Sequence, residues 1–298
     1  MRALIVGDDY LAARFAYLLK KLTIPAERVS RFKKSSLKRK DAVFFSGRNC
    51  LAESIFDSLR SGCSVFSEQM LLEGKPPPLV KYAERNKLRL VIGSFDVFNS
   101  VIKEIKNIME KEKVFEAFFS RVGPRQFGYV RLNIVDDLVI QDLGIMNFLF
   151  EDGVQVVSAH SRDPYNHCIA QLRSDGTNIF TYANKDPYYK ERTLDIFGEK
   201  TKLHANMLSQ RLMLMKSVGI IQSLYGSGYE SYKEQIVKKS EPLKEAVELF
   251  VRGKKNPVDY GSLERSLEMA WEIKKAIQAP ARGPLGIPSG SSGQRRQT

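Results

Sequence analysis

"DAVFFSGRNCLAESIFDSLRSGCSVFSE", residues 41–68, decides the fold class. Its two ends, "DAVFFSG" and "SVFSE", are short apolar runs of strand length. The middle, "LAESIFDSLRSG", repeats apolar residues at helical spacing and stops at Gly62, a C-cap glycine. A strand, a helix and a second strand in that order make a βαβ unit, whose strands run parallel. The alternation continues on both sides. "RALIVG" (2–7), "RVSRF" (28–32) and "RLVIGSF" (89–95) read as strands, with helices at "YLAARFAYLLKKL" (10–22) and "PLVKYAERNK" (78–87). Residues 1–100 are therefore expected to form an α/β domain, a Rossmann-like, doubly wound parallel sheet with right-handed crossovers.

Beyond residue 100 the pattern changes. "VIKEIKNIMEKEKV" (101–114) is helical, and strand-like pieces follow: "EAFFSRVG", "VQVVSAHSR", "CIAQLRS", "NIFTYAN", "RTLDIFG" and "TKLHANM". Among them lies one helix, around "DLVIQDLGIMNFLF" (137–150). Two more helices, "EPLKEAVELFVRG" and "YGSLERSLEMAWEIKKAIQ", close the pattern. Residues 101–278 are expected to be an α+β domain with an open, largely antiparallel sheet, its helices on one face. Residues 279–298, rich in Pro, Gly and Ser, read as a disordered tail. Strands such as "NIFTYAN" give the open face an apolar patch larger than monomers usually tolerate. A homodimer or homotetramer joined through that face is expected.

The 298 residues are 43% hydrophobic and 27% charged, the composition of a soluble globular protein. No run of about 18 apolar residues occurs, so no membrane helix is expected. The start has no secretory apolar region, and three scattered cysteines suit a reducing, cytoplasmic setting. Neither these nor the three histidines have metal-ligand spacing, so no metal is expected. The net charge of +13 favours anionic partners. Its densest run, "RFKKSSLKRK" (31–40), comes with no nucleic-acid-binding module, so a solvated surface is the simpler reading and nucleic acid is not an expected partner.

The first turn should cradle a pyrophosphate if the domain holds a dinucleotide. That role calls for G-x-G-x-x-G/A, and the chain has "GDDYLA". Gly7 and Ala12 occupy the outer positions, but Asp9 stands in the middle. Aspartate there can cap its own helix, taking the N–H groups a pyrophosphate would use and repelling its charge. Both readings remain open at this point. Downstream, the second strand ends in Arg31, followed by Lys33 and Lys34, where NAD-binding domains have an acidic residue. Basic residues suit a 2′-phosphate, so NADP fits better than NAD, if either binds. The link from residue 32 to 41 is short for a helical crossover. At the end of the fourth strand stand Glu68 and Gln69, where α/β sheets hold ligands.

The order of these elements resembles the glucose-fructose oxidoreductase and inositol dehydrogenase family over about residues 1–278. The stretch from "DAVFFSG" to "SEQML" is similar to the family's segment ending in Glu-Lys-Pro. "RVGPRQFGYVRLNIVDDLVIQDLGIMNFL" is similar to its helix carrying Asp-x-x-x-His. The "GP" loop and that helix echo the archaeal-type nucleotide-sugar 3-dehydrogenase branch. The resemblance implies NADP or NAD as cofactor, unless the change at Asp9 has removed it, with Gly7, Asp9, Ala12, Arg31 and Glu68 around it. It assigns the catalytic positions to Gln69, Asp137 and Gln141. In the family a lysine and a histidine stand where this chain has Gln69 and Gln141. Glutamine can donate and accept hydrogen bonds but does not titrate. A positioned acid/base is worth roughly 10²–10⁴-fold, which leaves Asp137 as the one candidate base. Arg121, Asp142, Lys190 and Arg192 fall where that branch binds its substrate, and their cations would suit a diphosphate.

Two functions follow. One is an NAD(P)-dependent oxidoreductase acting on a sugar or nucleotide sugar, toward which the element order leans. The other is a catalytically inactive relative that serves as a binding or assembly protein, which the glutamines and Asp9 favour.

Overall fold

The computed structural model describes residues 1–47, 50–67, 78–123, 132–151, 153–186, 188–216, 231–254 and 260–278. The first sheet has five parallel strands: β1 (Ala3–Val6), β2 (Ala26–Val29), β3 (Ala42–Phe45), β4 (Ser64–Ser67) and β5 (Leu90–Ile92). Their order is β2-β1-β3-β4-β5. Every residue of β1, β3, β4 and β5 is buried. That is why they read as unbroken apolar runs: parallel sheets are covered on both faces. Helices α1 (Tyr10–Lys21), α2 (Ala52–Arg60) and α3 (Leu79–Arg85) connect them.

β2 departs from expectation. It starts and ends earlier than "RVSRF", because Val29 pairs with Val6 and the chain then leaves the sheet. Being a largely exposed edge strand, it carries no apolar run to mark its bounds. From β2 to β3 the chain passes through a single 3-10 turn, Lys34–Leu37, instead of a crossover helix. The order reverses at β1, flanked by β2 and β3, so a crevice opens at the C-terminal ends of β1 and β3.

The second sheet has eight strands, ordered β13-β12-β11-β10-β6-β9-β8-β7. They are β6 (Val114–Gly123), β7 (Gln155–His160), β8 (His167–Ser174), β9 (Thr177–Lys185), β10 (Glu191–Gly198), β11 (Thr201–Asn206), β12 (Arg211–Lys216) and β13 (Ser231–Gln235). All neighbours are antiparallel except β6 and β9. α4 (Ser100–Met109) stops short of the expected end, because Val114 already belongs to β6.

The inner face of this sheet, with Ala117, Phe119, Ile179, Leu194 and Leu203, is buried. α5 (Ile140–Phe150), entered through a π-helical turn at Val135–Val139, packs against α7 (Tyr260–Gln278). Asn147 ties the two helices by donating to Ser262 O and Ser266 Oγ. On the outer face Phe118 stacks on Phe180 at 4.9 Å, and Ile169, Tyr182 and Met213 are exposed.

α6 (Pro242–Arg252) returns to the first sheet. Its Phe250 lies 5.4 Å from the ring of Phe44 and 5.3 Å from that of Phe66. Arg89, just before β5, donates to Phe250 O and Val251 O and so satisfies the C-terminal carbonyls of α6. A segment late in the chain thus completes the cover of the first sheet.

Candidate functional site

Two places carry the residues singled out above: the β1–α1 turn and the junction between the sheets. In the turn, Gly7 has φ +149°, and a Cβ there would meet Ser46 Oγ at 2.1 Å and the Ala12 Cβ at 3.3 Å. Gly7 and Ala12 are small because β1, α1 and the loop after β3 meet there. Asp9 is the N-cap of α1, its Oδ1 accepting from Ala12 N at 2.8 Å. Its Oδ2 faces Gly47 (φ +56°), where a Cβ would lie 2.6 Å away. From β2, Arg28 Nε donates to Gly7 O at 3.0 Å and Nη2 to Asp9 O at 3.4 Å. A pyrophosphate would use the helix N–H groups that the capping carboxylate faces. The turn does not fit one. Arg31 stands exposed just past β2.

The junction is built around Arg121 on β6, which is 1% exposed. Its Nε donates to Asp142 Oδ1 at 2.6 Å, Nη1 to Gln141 Oε1 at 2.9 Å and Nη2 to Asp96 Oδ2 at 2.9 Å. Asp142 and Gln141 come from α5, and Asp96 from the 3-10 turn Ser94–Phe98 after β5. Arg192 on β10 reaches both oxygens of Asp96, at 3.2 and 3.3 Å. Thr181 Oγ1 donates to Asp142 Oδ2 at 3.3 Å. Gln141 Nε2 donates to Asp137 O at 3.0 Å, one helical turn back. Asp137 itself pairs with Lys185, the last residue of β9, at 2.7 Å. The π turn beneath Asp137 widens the helix where these groups converge, as such turns often do at functional sites.

Burial pushes the Asp96 carboxyl up, but Arg121 and Arg192 more than reverse it and hold it below the usual carboxylate range. Burial pushes Asp142 up, and the pull of Arg121 falls short of offsetting it. The guanidinium divides its charge between two carboxylates, and among the described residues no second cation is bonded to Asp142. Arg121 holds its proton more firmly than usual, since Asp142 and Asp96 outweigh its own burial. Burial lowers Lys190, and Arg192 beside it adds to that. Lys190 joins no ion pair among the described residues.

Arg121, expected at a ligand's phosphates, is instead wholly engaged inside the protein. Asp142, expected beside it at the substrate, is likewise buried against it. Arg192 is partly exposed and Lys190 exposed, so these two face the space a ligand could enter. Gln141 and Asp137 meet at the same junction. Glu68 and Gln69 lie outside the described residues. Sequence reasoning missed Asp96, Lys185 and Arg28. Asp96 had a usable signal, since it follows β5 at the ligand end of the parallel sheet. Lys185 had none. No group of three or more His, Cys, Asp or Glu that could hold a metal occurs among the described residues, and no helix among them is long and apolar enough to cross a membrane.

A Rossmann-like parallel sheet followed by an open, largely antiparallel sheet is a fold this chain shares with several solved structures, among them a dehydrogenase and a ketoreductase. The UDP-N-acetylglucosamine 3-dehydrogenase from Acidithiobacillus ferrooxidans matches with a TM-score of 0.73 at 16% identity, over 93% of this chain and 97% of that one. A 3-ketoreductase from Actinomadura kijaniata, in complex with NADP, matches with a TM-score of 0.72 at 13% identity, over 93% and 97%. A probable dehydrogenase from Thermotoga maritima matches at 0.64 and 15% identity, over 93% and 97%. At such identities the likeness establishes the fold alone. No protein-family model and no curated protein matches the sequence.

Proposed function

We propose that this chain binds a sugar or nucleotide sugar at the junction of an oxidoreductase fold, and that fast hydride transfer is not its role. One observation carries the reading: Arg121, Arg192 and Lys190 bring three cations to the junction against the two carboxylates of Asp96 and Asp142. The surplus lies with Lys190 and Arg192, which suit the phosphates of a nucleotide diphosphate. Arg121 acts indirectly, orienting Gln141 and sharing Asp96 with Arg192. Gln141 is held by two bonds within the protein and offers no titrating group. The solved structures of similar fold support the ligand class, because their names include a UDP-sugar dehydrogenase and a 3-ketoreductase. Two copies joined through the outer face of the second sheet complete the proposal.

Calorimetric titration with UDP-N-acetylglucosamine and with TDP-glucose tests it. Saturable binding that weakens at least tenfold in Lys190→Met and Arg192→Met supports the reading. Binding unchanged in both variants, or none to either probe, refutes it.

A second reading, an active NAD(P)-dependent oxidoreductase on the same ligand, is favoured by Asp137–Lys185. That pair sets a lysine and a carboxylate beside Gln141, at the position the resemblance gives to an acid/base. Sugar-dependent turnover of NADP that disappears in Lys185→Met would establish it.

A further inference from the structure

We infer that Asp9 is a built-in anion that closes the first domain to the pyrophosphate of a dinucleotide. The three small positions of a G-x-G-x-x-G/A turn do different work. The first lets the strand turn tightly and the third lets the helix pack on the strand. The middle one lets the backbone approach the ligand's phosphates. This chain keeps the two positions that its own packing needs. A side chain at position 7 would run into Ser46 Oγ, and Ala12 is fully buried against the turn. The position changed is the one only a ligand requires.

A side chain at position 9 could have pointed into solvent. Asp9 turns inward and does what a phosphate oxygen does at a helix N-terminus, accepting the Ala12 N–H at 2.8 Å. Its second oxygen faces Gly47, whose missing Cβ leaves it room. Arg28 braces the turn from the opposite side through Gly7 O and Asp9 O. A pyrophosphate entering here would have to displace the carboxylate from its N–H and then lie beside its charge. The closure concerns the first domain only. It stands whether or not the junction binds a sugar nucleotide, and NADPH binding to the unaltered chain would instead speak for the hydride-transfer reading.

The test titrates NADPH into the full chain and into Asp9→Gly and Asp9→Asn, by nicotinamide fluorescence and calorimetry. The unaltered chain shows no saturable binding up to about 1 mM. Asp9→Gly gains at least about tenfold. Asp9→Asn keeps a capping side chain without the charge, and gains less because the space stays filled. Adenosine 2′-monophosphate, which has no 5′-phosphate to meet the turn, has the same affinity for all three proteins. Far-UV circular dichroism checks the fold, and if Asp9→Gly fails to fold, Asp9→Asn decides by gaining or not gaining. Three results overturn the inference: NADPH binding to the unaltered chain within about threefold of Asp9→Gly, no gain in folded variants, or an equal gain for adenosine 2′-monophosphate.

Discussion

Replacing Arg121 by Met should be among the most damaging single changes in the second domain. The side chain is 1% exposed and satisfies Asp142, Gln141 and Asp96 at once. Methionine fills part of the space but leaves Asp142, itself 1% exposed, as a buried carboxylate without its cation. Removing one partner of a buried pair costs about 3–5 kcal/mol. For a chain of this size that corresponds to a fall in Tm of about 5–8 °C. Urea and thermal unfolding followed by circular dichroism would measure it.

The pH dependence is the sharper check. Arg121 and Arg192 hold Asp96 below its ordinary range against the effect of burial. Its contribution to stability is therefore present above about pH 4 and lost as pH falls through its folded value. Burial raises Asp142, so its contribution has the opposite sign: present below about pH 4, and lost as pH rises through the folded value. Without Arg121 the Asp142 carboxyl rises further and takes up a proton on mild acidification. The deficit of Arg121→Met should thus be largest near pH 7 and shrink toward about pH 5. Arg121→Met combined with Asp142→Leu should recover part of it, because no unpaired charge is then buried. A deficit under about 1 kcal/mol at pH 7, or one independent of pH, would refute the electrostatic account.

Phe250→Ala should destabilise the first sheet by about 3–5 kcal/mol, since the ring is buried between Phe44 and Phe66; for the same reason a fragment of residues 1–100 should lack a cooperative unfolding transition. The outer face should hold two copies together, so light scattering at micromolar concentration should give twice the chain mass, and Phe118→Asp should give monomers of 33.9 kDa. A stable monomer of the unaltered chain sinks that prediction. Lys185→Met should leave Asp137 half-buried without its cation, lowering stability by about 1–3 kcal/mol at pH 7 in denaturant titrations.

The first domain was legible because burial on both faces writes parallel strands as apolar runs. The same physics blurred the bounds of β2, "AERV", and hid β13, "SYKEQ", both edge strands without an apolar run. β12, "RLMLMK", carries a run of four apolar residues of strand length but lies outside the strands expected from the sequence. At the junction, residue types were legible and partners were not. Arg121 could be seen as a cation suited to an anion, yet the anions it meets, Asp96 and Asp142, are 25 and 21 residues away and approach only on folding. A guanidinium awaiting a diphosphate and one already paired look alike in a sequence. Exposure separates them, and it divides Arg121 from Lys190 and Arg192.

Gln141 keeps the junction's polar groups satisfied without a titrating side chain. A histidine at that position would sit beside the Arg121 guanidinium, which would oppose its protonation. A glutamine meets the same guanidinium with a carbonyl oxygen and returns an N–H to Asp137 O, so its polar groups stay satisfied and no charge is added. Asp9 follows the same logic at the β1–α1 turn, where a carboxylate satisfies a helix N–H that a phosphate could otherwise meet. In both places the side chain present satisfies polar groups of the protein itself.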